Sequence, residues 1–252
     1  MTDNGIPLLV AHRGDMQRYP ENTWLAIEAA LDAGACWVEF DIQMCSNGEF
    51  ILLHDDIFAR TAAIQQNVFD ADIDADTISV HEPARFGEHF FPLPVNTLRD
   101  VMQAFGRYPA ARAMVEIKQE SIDRWGLEPV VNSLLAALAP FQLQCCVISY
   151  NADALHLCRQ RGKFETGWVM THWSDDDLAR ARTLQADYLI CNARKVPAGE
   201  TLPQMASQWM IYDITDADTA LDWGQRGAAL VETGDISSLL RHPLLGQQSC
   251  AR

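Results

Sequence analysis

The chain has 252 residues, 48% of them hydrophobic and 21% charged, with a formal net charge of -15. That is the composition of a globular protein long enough to bury a substantial core, and the excess of acid argues against nucleic acid or an anionic membrane surface as a stable partner. No run is long and apolar enough to span a bilayer, and Met1 to Pro7 has neither part of a secretory signal; seven cysteines without a C-x-x-C spacing read as buried free thiols in a reducing compartment, so the protein is expected to be cytoplasmic.

Ile6 to Ala11 predicts a buried strand that delivers His12-Arg13-Gly14 at its C-terminal end. Pro20-Glu21-Asn22-Thr23 opens a helix over Trp24 to Ala33, with Asn22 or Thr23 as N-cap and Gly34 as its stop. Trp37 to Gln43 predicts the second strand. Val38, Phe40 and Ile42 fall on one face, and Glu39 and Asp41 on the other, because strand side chains alternate. Ser46-Asn47-Gly48-Glu49 signals a hairpin, from which Phe50 to Leu53 returns to His54-Asp55-Asp56. From Ile57 to about Val95 the pattern is irregular. Asp70, Asp72, Asp74 and Asp76 alternate there without the Gly and Glu of an EF-hand loop, and Phe86, Phe90 and Phe91 follow. A connection this long reads as a lid or binding rim.

Thr97 to Phe105 predicts a helix stopped by Gly106. Ala113 to Lys118 predicts a strand with Glu116 and Lys118 on one face, and Leu127 to Leu138 a helix. Strands then follow near 145–149, 166–170, 187–191, 209–213 and 228–232. Helices are expected near 152–161, 175–184 and 216–225, with a poorer one near Leu202 to Ser207. About eight strand–helix units in roughly 250 residues is the count of a (β/α)8 barrel. The expected architecture is one domain over residues 1–252 with an insertion after the second strand region; a doubly wound open sheet is the alternative.

In such a barrel, the C-terminal ends of the strands would gather His12, Glu39, Asp41, His54, Glu116 and Lys118 in one cleft. Glu39 and Asp41 on an open edge would simply face water. Buried side by side they would repel by about 4 kcal/mol at roughly 4 Å, even at an effective dielectric near 20, and a divalent cation reverses that cost. Glu39, Asp41 and Glu116 suit a hard cation, Arg13 and Lys118 a phosphate, and His12 and His54 an acid–base pair. The combination fits phosphoryl transfer better than acyl transfer.

Taken as an ordered set, Ala11-His12-Arg13-Gly14, Pro20-Glu21-Asn22-Thr23, Glu39-Phe40-Asp41, Gly48, His54-Asp55 with Arg60-Thr61, and Glu116-Ile117-Lys118 resemble the glycerophosphodiester phosphodiesterases. The resemblance is clear over the first half and rests on β/α rhythm in the second. It implies a metal-dependent TIM barrel that hydrolyses a small-molecule glycerophosphodiester to an alcohol and sn-glycerol 3-phosphate. By the same resemblance His12 and His54 are the acid–base pair, Glu39, Asp41 and Glu116 the metal ligands, and Arg13 and Lys118 the phosphate clamp. Which histidine is the acid, and whether water or the neighbouring glycerol hydroxyl attacks, stays open. Mg²⁺ is the expected ion, with Ca²⁺ the alternative. The chain departs from the family pattern at Tyr212-Asp213, where a Trp-Thr pair is common, at Ala62-Ala63 and at Ser149-Tyr150. A lipid-cleaving phospholipase D-like member of the same barrel group, or a phosphate-ester binding protein without turnover, are the other readings.

Overall fold

The computed structural model describes residues 5–70 and 77–250. Eight parallel strands close into a barrel: β1 (Leu8–His12), β2 (Trp37–Met44), β4 (Arg112–Ile117), β5 (Cys145–Ser149), β6 (Glu165–Val169), β7 (Tyr188–Asn192), β8 (Gln208–Tyr212) and β9 (Ala228–Thr233). β1 pairs with both β2 and β9 and shuts the ring. β3 (Phe50–Leu52) lies outside it, antiparallel to the end of β2. The helices are α1 (Trp24–Asp32), α2 (Ala59–Ala62), α3 (Pro83–Phe86), α4 (Leu98–Phe105), α5 (Gln119–Trp125), α6 (Leu127–Leu138), α7 (Ala152–Leu157), α8 (Asp175–Leu184), α9 (Ala217–Gln225) and α10 (Ile236–Leu239). The barrel is the expected one, and the open sheet is ruled out by the β1–β9 pairing.

Alternation along the strands makes two cores. Val38, Phe40, Ile42, Val115 and Ile117 point outward and pack with α1, α4 and α6 side chains such as Ile27, Met102 and Leu134. A fully buried Phe or Leu in this layer contributes roughly 1.5–3 kcal/mol. Val10, Trp37, Met114 and Leu230 point inward and fill the lower barrel. One pleat further along the same strands come His12, Glu39, Glu116 and Glu232, so the apolar plug carries a charged layer on top. Gly14 lets the chain turn off β1 against α1. Its φ is 81°, and a Cβ there would stand 2.4 Å from the Ala26 carbonyl carbon.

Several expectations change. Thr23, not Asn22, caps α1 by accepting from the Ala26 N–H at 3.2 Å. Glu39 and Asp41 do not end their strand, because β2 runs on to Met44 to pair with β3. The helix expected near Leu202 to Ser207 does not form. Pro203 lacks a donor and restricts Leu202, and its carbonyl accepts from the Trp209 indole at 2.8 Å instead. Cys36 and Cys250 are joined in a disulfide, so the reading of seven free thiols fails for these two. Cys45, Cys145, Cys146, Cys158 and Cys191 are free and buried as expected. Asp72, Asp74 and Asp76 lie outside the described residues; Asp70 accepts from the Asn67 N–H through its carboxylate.

The insertion has a small core of its own, in which Phe58, Val68, Ile78, Val80 and Val95 pack on Ile51 and Leu53 of the hairpin. Phe90 packs against Phe86 and Tyr19. Phe91 stays 58% exposed.

Candidate active site

Strand register assembles the site. His12 lies beside Glu39 across β1–β2, and Asp41 beside Glu116 across β2–β4. Neighbouring residues of parallel strands project to the same side, so each pair enters the lumen together. The cavity they line measures about 200 Å³ and also takes in Arg13, His54, Lys118 and Glu232. Every sequence-predicted site residue thus meets in one place: Asp41, absent from that lining, sits directly behind it against Arg13 and Lys118.

Arg13 adopts a left-handed φ of 52°. Its backbone N–H then donates to Glu39 Oε2 at 3.1 Å, and its Nη1 to Glu21 at 2.8 Å. Its Nε stands 3.0 Å from Asp41 Oδ2 as a charge contact without hydrogen-bond alignment. Asn22 grips Asp41 twice, donating from Nδ2 to Oδ2 at 2.9 Å and accepting from the Asp41 N–H at 3.0 Å. Pro20 to Thr23 is therefore more than a helix start. Lys118 Nζ donates to Glu116 at 3.1 Å and lies 3.3 Å from Asp41 Oδ1. His54 Nδ1 meets Asp55 Oδ1 at 2.7 Å, which fixes the ring and leaves Nε2 for the cavity.

The electrostatics divide the carboxylates. Burial works to raise Asp41, yet Arg13, Lys118 and the Asn22 amide hold it well below the usual carboxylate range. Burial and then the neighbouring Asp41 push Glu39 well above that range and Glu116 up to about 7. Burial and then Arg13 push His12 down to about 4, although its ring keeps 20% of its surface exposed. Glu39 Oε1 is buried with no hydrogen-bond partner. Glu39, Asp41, Glu116, Glu232 and Asp213 outnumber Arg13 and Lys118 around the cavity, an acid excess that a bound divalent cation would offset. Ligand oxygens of Glu39, Asp41 and Glu116 lie within 4.8 Å of one another. An all-oxygen set of this kind suits a hard divalent ion.

Sequence reading missed Glu232, which is 4% exposed and pushed well above the usual carboxylate range by burial and then by Glu116. Its only signal was a charge at the end of an apolar strand, Leu230-Val231-Glu232, and no motif flagged it. Also missed was the chain of charges from Arg13 through Glu21 to Arg60 and on to Asp55. The far wall comes from β5–β8 and is apolar and aromatic, with Ile148, Val169, Met210, Tyr150 and Tyr212. The two tyrosine hydroxyls lie 3.2 Å apart, and Asp213 stands at the edge. No described residue of the insertion lines the cavity, so Phe86, Phe90 and Phe91 are not the rim expected of them. A larger cleft, about 870 Å³, opens at the opposite end of the strands near Asp187, Tyr188 and Gln208. Arg159 there is paired with Asp187 and Glu165 with Arg112, and its lining holds no histidine, so the smaller cavity holds the reactive groups.

Fold and cavity together define a β/α-barrel protein with its polar site at the C-terminal ends of the strands, where barrel enzymes carry their chemistry. The chain belongs to the glycerophosphoryl diester phosphodiesterase family, which it matches over residues 12–207. A Bacillus subtilis glycerophosphodiester phosphodiesterase is 27% identical over 246 residues, 87% of this chain and 82% of that protein. The uncharacterized Bacillus subtilis protein YqiK is 30% identical over 152 residues, 60% of each chain. A Caldanaerobacter subterraneus glycerophosphodiester phosphodiesterase is matched over only 40% of its length, at 32% identity over 39% of this chain. Among solved structures, an Oleispira antarctica phosphodiesterase in complex with the product sn-glycerol-3-phosphate superposes with a TM-score of 0.78 at 19% identity, covering 93% of this chain and 95% of that one.

Proposed function

We propose that the protein hydrolyses glycerophosphodiesters to an alcohol and sn-glycerol 3-phosphate. The observation that carries this is the meeting, in one cavity, of two histidines, two cations and a carboxylate set with an unpartnered buried oxygen. Family membership supports it, as does the product bound by the Oleispira antarctica relative. Glu39, Asp41 and Glu116 would hold one divalent cation, which when bound supplies positive charge to the phosphoryl oxygens. Arg13 and Lys118 bind and orient the phosphodiester. His12 is neutral above about 4, so its lone pair accepts the proton of the attacking hydroxyl. His54, held through Nδ1 by Asp55, gives a proton to the departing alcohol.

The resident ion we propose is Mg²⁺ in a cytoplasmic protein acting as one domain. The Cys36–Cys250 disulfide favours the alternative, Ca²⁺ in an oxidising compartment, and metal analysis of the protein purified from its source decides. No helix among the described residues is long and apolar enough to cross a membrane. A lipid-cleaving reading needs an apolar rim, and of the three insertion phenylalanines only Phe91 is an exposed one. Incubation with glycerophosphocholine and coupled detection of glycerol 3-phosphate, with and without EDTA, tests the proposal. Release of glycerol 3-phosphate that EDTA stops is expected; no release with either Mg²⁺ or Ca²⁺ overturns it.

A further inference from the structure

Glu232 has no role in the reaction above, yet it is buried in the same cavity and its Oε1 has no hydrogen-bond partner. It shares a wall with His12 and Glu39, and ligand atoms of the three lie within 4.8 Å of one another. His12 Nε2 is 3.9 Å from Glu39 Oε2. Glu39 Oε1, 2% exposed by residue, is likewise without a partner. Two buried carboxylates, each with one oxygen lacking a partner, and an imidazole thus offer ligand atoms to one place. Asp41 and Glu116 are not part of this group; Glu39 alone is common to both.

We propose that His12, Glu39 and Glu232 form a second cation site, selective for Zn²⁺-like ions, that shuts the enzyme down when filled. The selectivity follows from the donors. The set of Glu39, Asp41 and Glu116 is all oxygen and suits Mg²⁺ or Ca²⁺. Adding an imidazole favours first-row transition ions and Zn²⁺, whose bonds to nitrogen and oxygen are about 2.0–2.2 Å. Donors of a tetrahedral ion stand about 3.4 Å apart at those lengths, so side-chain rotations of about an ångström close the site and leave a fourth position for water. Charge alone does not select this second ion, because any divalent cation offsets the acid excess equally. The imidazole must hold it, and a Mg²⁺ ion gains little from an imidazole. Regulation follows from His12, and this part rests on the function proposed above. A zinc ion on Nε2 occupies the lone pair that the reaction uses for its proton.

The test reads binding apart from turnover. Metal-stripped full-length protein in excess Mg²⁺ is titrated calorimetrically with Zn²⁺, alongside Glu232→Gln, and the zinc-loaded wild type is examined by X-ray absorption. One tight zinc is expected in wild type, with an imidazole in its shell, and affinity lower by about tenfold or more in E232Q. Zinc should slow hydrolysis of glycerophosphocholine in wild type, and E232Q, measured against its own zinc-free rate, should need at least tenfold more zinc for the same slowing. No zinc uptake in excess Mg²⁺, equal affinity in E232Q, or a shell without imidazole overturns the site. Zinc bound as described that leaves the rate unchanged overturns the regulatory role. Should E232Q fail to fold by circular dichroism, the absorption spectrum of the wild type decides. A protein that takes up zinc but hydrolyses nothing in Mg²⁺ or Ca²⁺ overturns the proposed reaction and the regulation that rests on it, and leaves the site standing.

Discussion

His12 and His54 stand on different strand systems and are held by different partners, so their losses should be separable. His12→Ala and His54→Ala should each lower kcat on glycerophosphocholine by about 10² to 10⁴. On a p-nitrophenyl ester, whose leaving group needs no proton, His54→Ala should recover much of its rate and His12→Ala should not. Equal recovery in both would reverse or dissolve the acid–base assignment. Glu116 adds a pH dependence. Without an ion it takes up its proton as the pH falls through about 7, against an ordinary value of 4.5. Between those values the folded state binds more protons than the unfolded chain, so the stripped protein loses stability as the pH rises through that window. A cation competes with that proton, so its affinity rises over the same window. The gap in Tm between metal-loaded and EDTA-stripped protein should therefore widen as the pH is raised through about 7, which scanning calorimetry can follow; a constant gap would mean that Glu116 is not a ligand. The site residues of β1, β2 and β4 were legible because each sits beside others in a short ordered motif. Glu232 was not, because its partners, His12 and Glu39, come from the far end of the chain.

At the scale of elements, the insertion is locked to the loop after β1 rather than laid over the cavity. Arg60 donates to both oxygens of Glu21 at 2.7 Å and to Asp55 at 2.9 Å. Glu82 accepts from the Glu21 N–H at 2.9 Å. Arg60→Gln should cost about 1–3 kcal/mol of stability, since Glu21 keeps Arg13 but loses its second partner. It should also lower kcat, by up to about 10²-fold, because Asp55 no longer holds His54 firmly; a pure stability loss with unchanged kcat would show that Asp55 needs no such support. The phenylalanines separate by packing. Phe90→Ala should lower Tm, as its ring meets Phe86, Tyr19 and His89, whereas Phe91→Ala should leave Tm within about a degree, because that ring is already largely in water. Neither change should alter the preference among choline, ethanolamine and glycerol esters. If Phe90→Ala or Phe91→Ala selectively slows the choline ester, the insertion reaches the leaving alcohol after all.

For the whole molecule, the barrel separates stability from chemistry. The disulfide joins Cys36, just before β2, to Cys250 near the chain end, across 214 residues. Beside it the Cys250 N–H donates to the Gly34 carbonyl at 3.0 Å. All of this lies at the N-terminal end of the strands, opposite the cavity. Cys36→Ser should lower stability by about 2–4 kcal/mol, the usual worth of such a link, and leave kcat and KM in place. A comparable fall in kcat would mean that the two ends of the barrel are coupled.

What the sequence determined by itself is what adjacency along the chain encodes. The 2-residue alternation in Trp37 to Gln43 already assigns Phe40 and Asp41 to opposite faces, and the recurrence of strand and helix already counts to eight. The strand-end positions of His12, Glu116 and Lys118 follow from where apolar runs stop. What only the tertiary structure decided depends on closure. Pairing of β1 with β9 brings the last strand back to the first, and with it Glu232 to His12 and Cys250 to Cys36. The extension of β2 into a hairpin, the failure of a helix at Pro203 and the retreat of the insertion from the cavity were likewise settled by packing between segments. Local propensity carries no information about a partner some 200 residues away, and that is the distance over which a barrel assembles its last wall.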